Sequence, residues 1–383
     1  MQLTLCGQSA LRQIRAIRYT CSSPTKIVRC DLLDPDPFPR KRWNWNLMGQ
    51  LEFPAAISCD MASSGLGDME TGERMPSGML LNVAVPRKAD RVRLEGVRNT
   101  IYSTAMPRGA FIQVGHRLAV SSPELLFIEL ARELPLPELV MVGFECCGGF
   151  SLDPESPGCG NAKMNVPSQS RVARLMRFAC SASRIRGARR ALRALKFVVD
   201  DAWSPMEAVI ATMLMLPIEE GGYGLGPCEL NRRFETPDAL RAAAARSSRV
   251  PDILISGSGV GFNYDGEYHL DLNSIVAAVH GFDANPESSS AKNELRLSLS
   301  RVRRKAIDDM RRNRELAAQG LVVFPLTKED MYRSGGLDAV VSQAASAIEA
   351  RTGKRLVAQR EALADSSAAQ QRQELIRSLI PGG

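Results

Sequence analysis

The chain has no Cys-x-x-Cys pair, no long apolar run and no internal repeat. Its nine cysteines (Cys6, Cys21, Cys30, Cys59, Cys146, Cys147, Cys159, Cys180, Cys228) are odd in number and irregularly spaced. Adjacent Cys146 and Cys147 make a poor metal pair, so the pattern argues against a zinc site and a disulfide framework and for reduced, mostly buried thiols. No apolar stretch approaches the roughly 20 residues needed to span a bilayer. The opening "MQLTLCGQSALRQIRAIR" has too short an apolar segment for a signal peptide and turns basic at once, so it reads as a first strand and helix. The expected location is therefore the cytoplasm, with no membrane partner.

What is present is a soluble-protein composition, 44% hydrophobic and 24% charged, over 383 residues, a length that implies two domains or more. The formal charge is +7, and arginine outnumbers lysine. That balance favours phosphate-bearing partners, nucleic acid first among them.

Along the chain, "MLLNVAVP" (79–86) and "GAFIQVGHRLAV" (109–120) read as strands, while 34–46 and 61–78 read as loops. "SSPELLFIELARELPLPELVMVG" then changes to helical spacing, with Ser122 as cap, Pro123 in the first turn and Glu124 at the positive helix end. The stretch 148–170 reads as a linker or long loop, and the tail from 354 as a polar helix with a loose end. "RVARLMRFACSASRIRGARRALR" (171–193) is helical and basic. Its Arg186, Arg189, Arg190 and Arg193 can line a phosphate backbone, or form a solvated helix face.

The segment "PDILISGSGVGFNYDGEYH" (251–269) reads as two short strands joined by a glycine turn. It is not a dinucleotide loop, because "VGFNYD" alternates like a strand where a helix would have to open. In an antiparallel pair, Asp252 at the start of the first strand and Asp265 near the end of the second lie side by side. Their oxygens suit a hard cation such as Mg²⁺. A metal-bound water would then serve as nucleophile for phosphodiester cleavage, with His269 moving protons. Each residue also has a plain reading. Ser204 and Glu207 match a capping box, Asp265-Gly266 is a common turn pair, and Asp309 with Arg312 fits a surface ion pair.

Taken in order, "SPME", "PD", "NYDGEYH" and "DDMRRNRELAAQG" resemble the PD-(D/E)XK nuclease superfamily, in its very-short-patch-repair-like branch. The resemblance covers about residues 200–330. It implies a metal site from Glu207, Asp252, Asp265 and His269, with Mg²⁺ or Mn²⁺ on Asp252 and Asp265. It also implies a later helix carrying Asp309, Arg312, Leu316 and Gly320 before the last strand. "SALRQIR" and "SSPELLFIELA" resemble AbiE-type abortive-infection antitoxin-like bacterial proteins, which implies a toxin as a partner class. The sequence departs from the nuclease pattern at Asn263, where many relatives carry glutamate, and in a long stretch between His269 and Asp309.

The expected fold class is α/β. A mixed α/β domain (1–150) and a basic helical connector (151–200) precede a restriction-endonuclease-like three-layer domain (201–335) and a helical tail (336–383). The expected function is DNA binding with Mg²⁺-dependent endonuclease chemistry, in phage defence or repair. The alternative is a catalytically inactive DNA-binding regulator of antitoxin type. Arg303, Arg304 and Arg312 join the four arginines above as expected DNA contacts.

Overall fold

The computed structural model describes residues 3–20, 28–30, 81–93, 96–102, 106–115, 118–157, 161–238, 246–265, 279–280 and 289–380. The protein is mixed α/β and divides into two compact units, Met1–Thr212 with Leu379–Gly383 and Met213–Ser378. The basic stretch 171–193 thus belongs to the first unit, and most of the helical tail to the second.

In the first unit the strands are β1 (Leu3–Leu5), β2 (Val28–Cys30), β3 (Leu81–Val85), β4 (Val97–Ile101), β5 (Phe111–Gly115) and β6 (Leu118–Ser121). They form one mixed sheet in the order β2–β5–β6–β1–β3–β4. "GAFIQVGHRLAV", expected as one strand, is two antiparallel strands, with the pairing shifting register between Gln113 and Gly115.

Helix α1 (Gly7–Thr20) packs on this sheet, followed in the chain by α2 (Pro123–Leu130) and α3 (Leu136–Cys147). Ser122 caps α2 by accepting from the Leu125 amide at 3.3 Å, and every residue of that helix is buried. "PELLFIEL" is apolar around nearly its whole circumference, which suits an interior helix. The stretch expected as a linker instead holds a hairpin, β7 (Phe150–Leu152) with β8 (Ala162–Met164). Helices α4 (Val172–Ser181), α5 (Ala188–Ala194) and α6 (Pro205–Met215) follow.

The second unit begins with β9 (Cys228–Leu230), β10 (Phe234–Glu235), β11 (Ser248–Arg249), β12 (Ile253–Ile255) and β13 (Val260–Asp265). It continues with α7 (Ser289–Ala318), β14 (Val322–Thr327), α8 (Lys328–Tyr332), α9 (Gly336–Thr352), α10 (Val357–Ala364) and α11 (Ser366–Leu379). The main sheet has the order β14–β13–β12–β9. β9, β12 and β13 run antiparallel in turn, and α7 carries the chain over to β14, which lies parallel to β13. Leu316 of α7 packs with Leu254, Leu321 and Val323 on one face. Phe262 and Phe324 pair on the other, ring centroids 6.1 Å apart, and α9 packs on the same two strands.

The tail is not loose. Arg372 of α11 donates to both carboxylate oxygens of Asp338 (2.9 and 2.7 Å), and the buried Tyr223 hydroxyl donates to the same group at 2.5 Å. Among the described residues no helix is long and apolar enough to cross a membrane.

Within the first unit, Arg15 grips Glu145 through Nε to Oε1 at 3.0 Å and Nη2 to Oε2 at 2.7 Å, and the Leu152 amide donates to Oε1 at 3.0 Å. Burial alone would push this carboxyl up, but Arg15 and the amide hold it below the ordinary 4.5. Glu145→Gln keeps the shape and strips Arg15 of its counter-charge, so it should destabilise the unit by about 3 kcal/mol, read from urea unfolding. The sign with pH follows. The native state favours the ionised form, so the contribution is complete above pH 4.5 and is lost as pH falls through the lowered value. Wild type should therefore lose its advantage over Glu145→Gln on acidification.

Candidate functional site

The hairpin β12–β13 turns through Ser256–Gly259, where Gly257 (φ +74°) and Gly259 (φ +68°) occupy the left-handed region. Side chains resist that region, so the glycines of "GSGVG" serve the turn rather than a phosphate.

Register decides which side chains meet. Ile253 pairs with Phe262 and Leu254 with Gly261, so Asp252 falls opposite Asn263. Residues opposite one another share a face, and so do residues two apart on a strand. Asp252, Asn263 and Asp265 therefore share one sheet face, that of Leu254 and Val323, which Leu316 of α7 covers.

At the mouth of the ladder, side chains complete the strand pairing. The Asp252 amide donates to Asn263 Oδ1 at 3.0 Å, and the Tyr264 amide donates to Asp252 Oδ2 at 2.7 Å. A backbone N–H can be met only by the amide oxygen of Asn263, so its NH₂ must face away. That nitrogen is buried and has no hydrogen-bond partner among the described residues. Asn263 thus turns a donor, not a lone pair, to its surroundings.

Across from it, Arg312 Nη2 lies 3.8 Å from Asp265 Oδ1 and 3.5 Å from Asp309 Oδ1. Arg312 was expected to contact DNA; its guanidinium instead faces these two carboxylates. Sequence reasoning missed a second arginine centre nearby. Arg249, nearly fully buried, donates to Glu315 at 2.5 Å and pairs with Asp308 at 3.4 Å, which lowers the Glu315 carboxyl and raises the guanidinium. The signal was present in α7, since Asp308, Arg312 and Glu315 recur at helical spacing toward the sheet.

Glu207 belongs to the first unit, where its carboxylate closes a cap. It accepts from the Trp203 amide at 2.9 Å and from Ser204 Oγ at 2.8 Å, while its own amide donates back to Ser204 Oγ at 3.2 Å. Of its two readings the capping box is the one with partners on display. His269, with residues 266–278 and 281–288, lies outside the described residues.

A hard divalent cation needs several converging oxygens. Here the Asn263 oxygen is taken by an amide and Asp265 faces a guanidinium. Among the described residues, no three His, Cys, Asp or Glu side chains gather where they could hold a metal ion. The described donor set does not fit Mg²⁺ or Mn²⁺.

The arginines divide into two groups. Arg186 and Arg189 are exposed, as are Arg177 and Arg184, and none has an ion-pair or hydrogen-bond partner among the described residues. Arg190 is tied to the Leu134 carbonyl at 2.8 Å, and Arg193 is exposed but has a partner. On α7, Arg303 is exposed and Arg304 reaches back to the Ser300 carbonyl at 3.3 Å. Exposed Arg311 and Arg314, not foreseen as DNA-facing, share a helix face with Arg303 at i+8 and i+11. Ile307 and Met310, 40% and 65% exposed, lie among them and make the face basic and apolar together.

Compared with protein-family models, curated proteins and solved structures, the chain matches none.

The Asp252 exchange can be tested directly. Asp252→Ala leaves the Tyr264 amide without its acceptor and should cost the second unit about 1–2 kcal/mol. A urea midpoint equal to wild type would show that water replaces the carboxylate there.

Proposed function

We propose that this protein binds nucleic acid through its exposed arginine faces, on a restriction-endonuclease-like second unit that does not hydrolyse phosphodiesters. The observation that carries the reading is the set of exposed arginines without carboxylate partners, Arg177, Arg184, Arg186 and Arg189 on one unit and Arg303, Arg311 and Arg314 on the other. A guanidinium that no protein acid neutralises is available to phosphate, and each phosphate so neutralised releases counterions from the nucleic acid. What supports the fold is the order of elements, two antiparallel strands (β12 and β13) followed by helix α7 and the parallel strand β14, which agrees with the helix-before-last-strand order that the nuclease resemblance implies. What supports a regulator over an enzyme is Asn263, which fills the place of a family acid with an amide turned donor-outward. The antitoxin-like resemblance of the upstream segments agrees with that role, with a toxin as its partner class.

Hydrolysis is the second reading, favoured by one observation: Asp252 and Asp265 share a sheet face. Two experiments separate them. Fluorescence anisotropy on duplex DNA should show affinity falling steeply with salt. Arg177→Ala, Arg186→Ala and Arg189→Ala together should flatten the log–log slope by up to about 0.9 for each phosphate no longer neutralised. Salt-independent binding, or none, would remove the nucleic-acid reading. Plasmid and branched DNA should stay uncut in Mg²⁺ and Mn²⁺, and Asp265→Asn should leave DNA affinity unchanged. Cleavage that disappears in Asp265→Asn would put the endonuclease reading first.

A further inference from the structure

We infer that Arg312 is the resident cation of the Asp252–Asp265 face, an internal charge that occupies the place of a divalent metal and excludes one. The inference deepens the non-hydrolytic half of the reading above and is independent of its DNA half.

Three placements lead to it. First, Arg312 stands one helical turn before Leu316, whose side chain packs on Leu254, so the guanidinium reaches the same sheet face as Asp252, Asn263 and Asp265. There its Nη2 lies 3.8 Å from Asp265 and 3.5 Å from Asp309, one cation between carboxylates from a strand and a helix. Second, the Arg312 side chain is only 21% exposed, so water screens its charge less than at the open surface. Third, Arg312 Nε and Asn263 Nδ2 are both buried donors with no acceptor among the described residues. Donors without acceptors favour an electron-rich neighbour, such as a water or an anion's oxygen, and oppose a metal ion.

A divalent ion entering this face would have to push Arg312 off Asp265 while gaining nothing from Asn263. It would be left with Asp252, whose Oδ2 already accepts from the Tyr264 amide, and Asp265. A fixed positive charge 3.8 Å from one of those two ligands opposes a second cation by direct repulsion. The guanidinium offers these carboxylates one positive charge, half that of a divalent metal, at fixed stoichiometry and without any dependence on cation concentration.

Mn²⁺ binding to the full chain, followed by electron paramagnetic resonance, tests this. Wild type should leave Mn²⁺ free. The double variant Asn263→Asp with Arg312→Gln turns a donor into a ligand and removes the competing charge. It should bind one Mn²⁺ at least about tenfold more tightly than wild type, and lose it when Asp265→Asn is added. Circular dichroism checks that each variant folds. If the double variant does not fold, Asn263→Asp alone decides: with Arg312 in place it should gain no comparable site, and a full gain would overturn the proposal. The proposal also fails if wild type binds one Mn²⁺ that Asp265→Asn abolishes, or if the folded double variant gains none. DNA anisotropy run on the same proteins reports the nucleic-acid reading separately, since neither substitution lies on the exposed arginine faces.

Discussion

A charge removed from water must find an opposite charge or several hydrogen bonds, and both units are organised by that requirement. In the first unit, helix α2 is buried on all sides yet carries Glu124 and Glu129. Glu124 is met by Ser170 Oγ at 2.7 Å and Arg174 Nε at 2.9 Å, which ties the segment entering α4 to α2. Glu129 has no cation in contact; it accepts from the Gly7 amide, Ser121 Oγ and the Tyr102 hydroxyl. Burial outweighs those three donors and leaves its carboxyl raised. Arg18 solves the same problem with backbone: it donates to the carbonyls of Glu145, Gly148 and Pro167, and so joins the end of α3 to the chain beyond the β7–β8 hairpin. The parts of this unit that lie far apart in sequence are joined where a charge needed a partner.

The second unit obeys the same rule with different residues. Arg249 brings Asp308 and Glu315 of α7 to β11, Arg372 and Tyr223 share Asp338, and Arg312 bridges Asp265 and Asp309. Helix α7 is thereby divided along its length. Its inward acids and Arg312 are used up in pairs, while Arg303, Arg311 and Arg314 face outward. Paired and unpaired arginines on one helix differ in consequence: the first join elements of the fold, and the second leave their charge to solvent.

What the sequence made legible was local. The hairpin at 251–265, the long helix closing before Gly320 and the strand after it each carry their own periodicity and turn residues. The Ser122 cap was readable for the same reason, and the antiparallel hairpin alone put the ends carrying Asp252 and Asp265 side by side, while their shared face waited on the register. What was not legible depended on distant partners. The β7–β8 hairpin lies in a Gly- and Pro-rich stretch that reads as a linker until Arg18 and the Gly149–Ala202 backbone bond (2.7 Å) tie it down. The tail looked loose because its anchor, Asp338, sits 34 residues upstream of Arg372. Glu207 stood equally for cap and ligand because the capping box and the metal motif ask for the same residue at the same spacing. Nothing local says that Asn263 spends its oxygen on Asp252, or that Arg312 turns inward while Arg311 does not.

That last pair sets the charge on the sheet face that Asp252 and Asp265 share. A site of three clustered carboxylates is held together by the cation; with none bound, the acids repel and the fold bears the cost. An amide at 263 removes one charge from the cluster yet keeps an oxygen for the Asp252 amide, so the strand ladder closes as an acid would close it. The acids at 265 and 309 then share Arg312, so part of the charge on the face is offset by a group the chain itself supplies. Stability and metal chemistry make opposite demands at this position. A ligand set poised for Mg²⁺ must stay open to the ion until it arrives, whereas a set that already holds a cation of its own gains less from one. The observed donors and distances belong to the second kind. The outward arginines of α7 lie on the opposite side of the helix and take no part in that arrangement.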